Sequence, residues 1–216
     1  MKLKVFIPSE LSEITLDQYQ RYLKISSKET DQAFLQSKML EIFCGLKLTD
    51  AMKMKIADVN SITEILSDLL NETPSLIRRF KMKGVEYGFI PNLEDISLGE
   101  YIDIDNYIGD WENIHRAMAV LYRPIVNKYG ERYNIEEYQV TDGEIMKDMP
   151  MDAVIGSMLF FYHLGIDLSQ AMMKYLEESQ ETRLVQYLSS VKSGVGINQF
   201  SHSLKEILQD LKISLN

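Results

Sequence analysis

"FIPNLEDISLGEY" occupies Phe89–Tyr101, and "FIPSELSEITLDQY" occupies Phe6–Tyr19. The amino-terminal copy is longer by one residue. Each copy follows a stretch with strand character. "KLKVFI" alternates apolar residues at Leu3, Val5 and Ile7, while "FKMKGVEYGFI" alternates at Phe80 and Met82, turns near Gly84 and resumes at Val85, Tyr87 and Phe89. A period of two predicts strands. Pro8 and Pro91 end the pairing, because proline has no amide hydrogen to donate.

The rest of the phrase encodes a helix start. Thr15 and Ser97 stand at N-cap positions, with Gln18 and Glu100 three residues later, which makes a capping box in each copy. Ile14 and Ile96 precede the caps, and Tyr19 and Tyr101 follow four residues after them. That spacing predicts a hydrophobic staple, which sets the angle of chain entry. Each cap is worth ~1 kcal/mol.

The segments that follow correspond loosely. A helix around Gln32–Leu46 puts Phe34, Leu35, Met39, Ile42, Phe43 and Leu46 on one face, and a helix around Trp111–Tyr122 does the same with Trp111, Ile114, Met118, Leu121 and Tyr122. "SITEILSDLL", opening on a capping box of Ser61 and Glu64, pairs with "MDAVIGSMLFFYHL" from Met151. The expected fold is therefore α-rich α+β, mainly helical with a small β element. Two strand-plus-three-helix halves, 1–80 and 81–165, pack as one domain. A carboxy-terminal helical region, 166–216, holds a helix around Leu168–Tyr187 and a glycine hinge at 194–196. It ends on an apolar stripe of Phe200, Leu204, Ile207, Leu208, Leu211 and Leu215. The stripe either folds back onto the core or docks in a partner's groove.

Composition narrows the function. The net charge of −9 argues against a nucleic-acid binder, whose affinity comes largely from phosphate contacts. The best basic cluster, Arg78, Arg79, Lys81 and Lys83, is short. Cys44 is the one cysteine, so no internal disulfide forms, and its apolar neighbours predict a buried thiol. No signal peptide is expected from "MKLKVFIPSE", and "AVIGSMLFFY" is too short to span a bilayer, which needs ~20 apolar residues. The expected location is the reducing cytoplasm.

Catalytic patterns fail one by one. "ENIH" sets Glu112 and His115 at the spacing used in di-iron bundles, but neither His163 nor His202 has a glutamate three residues before it. "DIDNYIGDW" opens like a calcium loop, yet Ile108 and Ile114 occupy the positions that need glycine and glutamate. There is no phosphate-binding loop and no nucleophile elbow. The sequence predicts no catalytic residue, cofactor or metal site. From Gly84 to His115 it carries eight acidic residues and no lysine or arginine: Glu86, Glu94, Asp95, Glu100, Asp103, Asp105, Asp110 and Glu112. This segment is either a solvated face or a docking surface for a basic partner. Those from Glu94 onward, with the stripe Phe200–Leu215, are the candidate protein-binding residues.

The blocks "FIPNL" with "SLGEYIDID", "DW" with "HRAMAVLYRP", "IEEY" and "KDMPMDAVIGSMLFFYHLG" resemble a family of tailed-bacteriophage proteins found in crAss-like and other phages of Bacteroidota and marine bacteria. The resemblance covers roughly residues 1–180. It implies a non-enzymatic morphogenesis protein acting by protein contacts, as a virion structural or cargo component or as a tail assembly chaperone. The implied partners are other phage structural or tail proteins, or further copies of the chain, with no membrane and no direct nucleic-acid ligand. The implied location is the host cytoplasm during assembly, and the virion for a particle component. The alternative is a small host- or phage-directed enzyme or a nucleic-acid-associated accessory protein.

Overall fold

The computed structural model describes residues 5–179. Among them are seven α-helices and one four-stranded antiparallel sheet, an α-rich α+β architecture. Both capping boxes form. Helix α1 (Leu16–Ser26) starts where Gln18 N donates to Thr15 Oγ1 at 3.3 Å and Thr15 N donates to Gln18 Oε1 at 2.9 Å. Helix α5 (Leu98–Tyr107) starts where Glu100 N donates to Ser97 Oγ at 3.3 Å and Ser97 N to Glu100 Oε2 at 2.6 Å. The burial expected of a staple is present only in the first copy. Ile14 and Tyr19 are buried, whereas Tyr101 is 40% exposed.

Helices α2 (Gln32–Phe43), α3 (Leu48–Ala51) and α4 (Ile56–Leu70) follow α1. The Asp31 carboxylate caps α2, accepting from Ala33 N and Phe34 N. Ser61 lies inside α4 and is not its cap. The apolar period through Val59, Ile62, Leu66 and Leu69 begins upstream of it, and the helix begins with it.

The expected hairpin is present as β1 (Arg79–Met82) and β2 (Val85–Phe89), with Met82 opposite Val85. Lys83 and Gly84 both have positive φ, 51° and 80°, which suits the twist of a two-residue hairpin turn. The strand expected at "KLKVFI" does not form over Val5–Ile7. Val5 and Ile7 pack against the core and Phe6 points out, so the alternation is real, but it reports burial and not pairing. The first phrase is clipped elsewhere. Leu16 N donates to Met149 O and Met151 N to Ile14 O, both at 2.9 Å, around a bridge of Thr15 with Pro150.

Two unanticipated strands, β3 (Tyr122–Tyr129) and β4 (Arg132–Ile135), complete the sheet in the order β1-β2-β3-β4. Helix α6 (Ile114–Leu121) runs directly into β3, so Tyr122 continues the helical apolar period while already lying in the strand. Pro124 is the local signal that the helix has ended, since the residue before a proline disfavours helical geometry.

Helix α7 (Met151–Ser179) is continuous through Gly165. It joins two helices that the sequence suggested were separate, and it crosses the expected boundary at 165/166. Aromatic rings seat it on the sheet. Phe89 lies 5.2 Å from Tyr122 and 5.7 Å from Phe160, and Phe80 lies 5.2 Å from Tyr122. The Tyr122 hydroxyl, fully enclosed, donates to Ile77 O at 2.8 Å. Gly156 lets α7 approach the preceding chain, because a Cβ there would lie 2.5 Å from Ser75 O. Buried residues from Leu11 to Phe161 form one cluster. No helix among the described residues is long and apolar enough to cross a membrane. The hinge at 194–196 and the stripe from Phe200 to Leu215 lie outside the described residues.

The third helical position of each box is matched to its surroundings. Gln18 Nε2 donates to Ile42 O, near the end of α2, at 2.8 Å, whereas Glu100 Oε1 accepts from Arg123 at 2.5 Å. Exchanging the two residue types is therefore expected to destabilise the chain at both sites. Glu100→Gln should cost about 3 kcal/mol by stranding Arg123. Gln18→Glu should cost about 1–2 kcal/mol by setting a carboxylate against a carbonyl. Urea denaturation of each variant measures this, and two unchanged midpoints would refute the matching.

Candidate functional site

Two features stand out: a cleft beside α1 and the outer face of α5. The cleft has a volume of about 580 Å³. One wall is α1, with Asp17, Gln20, Arg21 and Lys24. The other comprises Trp111–Asn113, the first turn of α6 and the 3-10 turn Glu144–Asp148. Gln20 joins the walls, its Nε2 donating to Trp111 O at 2.7 Å and Glu112 O at 3.2 Å. The Trp111 ring packs 5.0 Å from Tyr19.

His115 is only 4% exposed. Its Nδ1 lies 3.5 Å from Gln20 Nε2, and its Nε2 lies 3.5 Å from Glu144 Oε1. Burial, and then the nearby Lys147 charge, push its pKa below the usual histidine value, although Glu144 opposes them. At neutral pH the imidazole is uncharged. Gly143 allows the loop to close over this helix start. Its φ is 68°, and a Cβ there would lie 2.7 Å from His115 O.

The charges in the cleft are unevenly spent. Asp17 pairs with Arg21 at 2.9 Å and Glu144 with Lys147 at 2.8 Å. Arg116 lies over the Tyr107 ring at 5.2 Å and donates to the Tyr107 hydroxyl at 3.3 Å. Lys24 and Lys28 have no ion pair among the described residues.

The acidic segment divides into several roles. Glu86 pairs with Lys128. Glu100 is buried and engaged with Ser97 and Arg123. Burial alone would raise its pKa, but the Ser97 hydrogen bonds and the Arg123 charge outweigh this and hold it below the usual carboxylate value. Asp103 accepts from the Tyr138 hydroxyl at 2.6 Å, a bond that pushes the tyrosine pKa up to about 12. Asp110 accepts from Asn113 Nδ2 at 2.6 Å and Glu112 N at 2.9 Å. Glu112 lines the cleft. Glu94, Asp95 and Asp105 remain exposed, without ion pairs among the described residues. The cations that answer this segment come from β3, beyond the window in which the sequence shows only acids.

The outer face of α5 adds apolar residues that the charge reading missed. Leu98 is 74% exposed and Ile102 46%, and with Tyr101 they follow the i, i+3, i+4 spacing of one helix face. That spacing was visible in "SLGEYID", but it reads equally well as a core face. Cys44 is buried, and burial pushes its thiol up to about 11. Arg79 pairs with Glu131 and Lys83 with Asp148, so half of the short basic cluster is neutralised. No group of three or more His, Cys, Asp or Glu among the described residues could hold a metal ion. Comparison with known protein families, curated proteins and solved structures finds no match to this chain.

The depressed pKa of His115 has a thermodynamic consequence. Its folded pKa lies below the unfolded value, so the unfolded chain binds the proton more readily. The associated stability is full above about pH 6.5 and declines as the pH falls through the folded pKa. His115→Gln is expected to flatten the pH dependence of the urea midpoint below about pH 6.5. A slope equal to that of the parent chain would refute this assignment, whatever the absolute stability of the variant.

Proposed function

We propose that this chain is a non-enzymatic bacteriophage morphogenesis protein that acts through protein contacts, with the outer face of α5 as its docking surface. The carrying observation is the exposed set Leu98, Tyr101 and Ile102, beside the carboxylates Glu94, Asp95 and Asp105, which form no ion pair among the described residues; Asp95 accepts a hydrogen bond from Asn92 Nδ2. Exposed apolar residues in a cluster mark interaction sites. Unneutralised charge around them favours a partner of opposite sign and speeds the encounter. The partner that fits presents apolar residues flanked by lysine or arginine. The sequence resemblance implies a partner among the other structural or tail proteins of the phage, met in the host cytoplasm during assembly.

Burial of three such side chains contributes several kcal/mol of the contact, at ~25 cal/mol per Å² of apolar surface. The double substitution Leu98→Ser with Ile102→Ser should leave the fold intact, because both residues are exposed. Zero-length carboxylate-to-lysine crosslinking in phage-infected cells should join Glu94, Asp95 or Asp105 to a phage structural or tail protein in the parent chain, and not in the variant. Crosslinks that persist in the variant, or none from this segment, would overturn the proposal. Mass spectrometry of purified particles separates the two modes: abundant peptides mean a virion component, and their absence alongside expression means an assembly chaperone.

A further inference from the structure

The cleft beside α1 is basic on a chain that is acidic overall. The chain carries a net charge of −9, yet five cations line this cleft against three carboxylates: Arg21, Lys24, Lys28, Arg116 and Lys147 against Asp17, Glu112 and Glu144. Two of the three carboxylates are held in ion pairs within the wall, Asp17 with Arg21 and Glu144 with Lys147. His115 adds no charge at neutral pH, for the reasons given above. The positive charge left over is that of Lys24, Lys28 and Arg116, opposed by Glu112 alone.

Lysines near the end of α1 partly answer the helix dipole, whose negative end lies there. That role does not extend to Arg116 and Lys147 across the cleft. The opposite wall holds the start of α6, whose N-cap Asn113 makes no side-chain capping bond. Its positive dipole end therefore adds to the field of the cations. Two shielded donors in the same wall, Trp111 Nε1 and Arg116 Nε, have no acceptor among the described residues. Buried donors are normally satisfied, so a wall holding two that are not is short of acceptors. The volume, about 580 Å³, lies within the ~300–1,000 Å³ range of small-ligand pockets.

We propose that this cleft is a binding site for a small polyanion, a molecule bearing two or more phosphate or carboxylate groups. Lys24 and Lys28 supply exposed charge on one wall, and Arg116, its guanidinium held over Tyr107, supplies a fixed charge opposite them. The ligand provides the acceptors that the wall lacks. The site is separate from the docking face of α5 and does not depend on it.

Trp111 is the one tryptophan of the chain and lines the cleft, so its fluorescence reports occupancy directly. The full-length chain is titrated at low salt with tripolyphosphate and pyrophosphate in one arm and citrate in the other. A saturable change in Trp111 emission is expected in at least one arm, and the tighter arm identifies a phosphate or a carboxylate ligand. Lys24→Gln with Lys28→Gln changes only exposed side chains and is expected to weaken binding about tenfold or more. A control with the same charge change outside the cleft, Lys55→Gln with Lys81→Gln, is expected to bind like the parent. No saturable signal in either arm, with calorimetry also silent at millimolar ligand, would overturn the proposal. So would equal weakening in the control, which would mean diffuse attraction to surface charge.

Discussion

The Glu100 carboxylate is the junction on which the second half of the molecule depends. One oxygen accepts from Ser97 N and closes the capping box of α5, and the other accepts from Arg123 on β3. A single buried charge thus fixes where α5 begins and where the central strand lies beside it. Burial makes the ion pair costly unless both partners are present and hydrogen-bonded. The cost of losing either partner is what makes the arrangement specific. Gln18 occupies the equivalent position in the first half, where the available partner is Ile42 O and an amide is needed to donate to it. One local motif is therefore completed by two different tertiary partners, and the side chain at the third position differs accordingly.

The core organises around the same junction. The chain enters β3 directly from α6, so Arg123 is delivered to Glu100 and Tyr122 to the interior within two residues. Tyr122 then contacts Phe80 and Phe89 from the sheet and bonds to Ile77 O. Phe160 and Phe161 extend this aromatic packing onto α7. The other end of α7 is clipped to the first phrase through the paired hydrogen bonds of Ile14, Leu16, Met149 and Met151. The first phrase is thereby joined to the start of α7 through a short backbone bridge outside the four-stranded sheet.

This arrangement determines what remains free. With Glu100 and Ile104 facing inward and Asp103 held by Tyr138, the opposite side of α5 carries Leu98, Tyr101 and Ile102 outward. With the start of α6 held near α1 by Gln20, a cleft opens between elements that are distant in sequence. The exposed face is apolar and acidic, and the cleft is basic. The partners proposed for them differ accordingly, a protein surface for the one and a small anion for the other.

Local structure was legible in the sequence: two capped helix starts and the β1–β2 hairpin with its glycine turn. These rest on contacts within a few residues, where side-chain type and spacing suffice. Tertiary pairing settled which of the remaining segments became strands. Val5–Ile7 found no pairing partner, while Tyr122–Tyr129, disguised by the helical period before it and by Pro124, became the strand between β2 and β4. The tertiary structure also divided the acidic segment into buried, bonded and exposed carboxylates, because the neutralising Arg123 and Lys128 and the hydrogen-bond donor Tyr138 lie outside that segment. Tyr101 shows the limit most simply: the same spacing that buries Tyr19 leaves it at the surface, because a helix pattern specifies a face and only the neighbouring elements determine whether that face is covered.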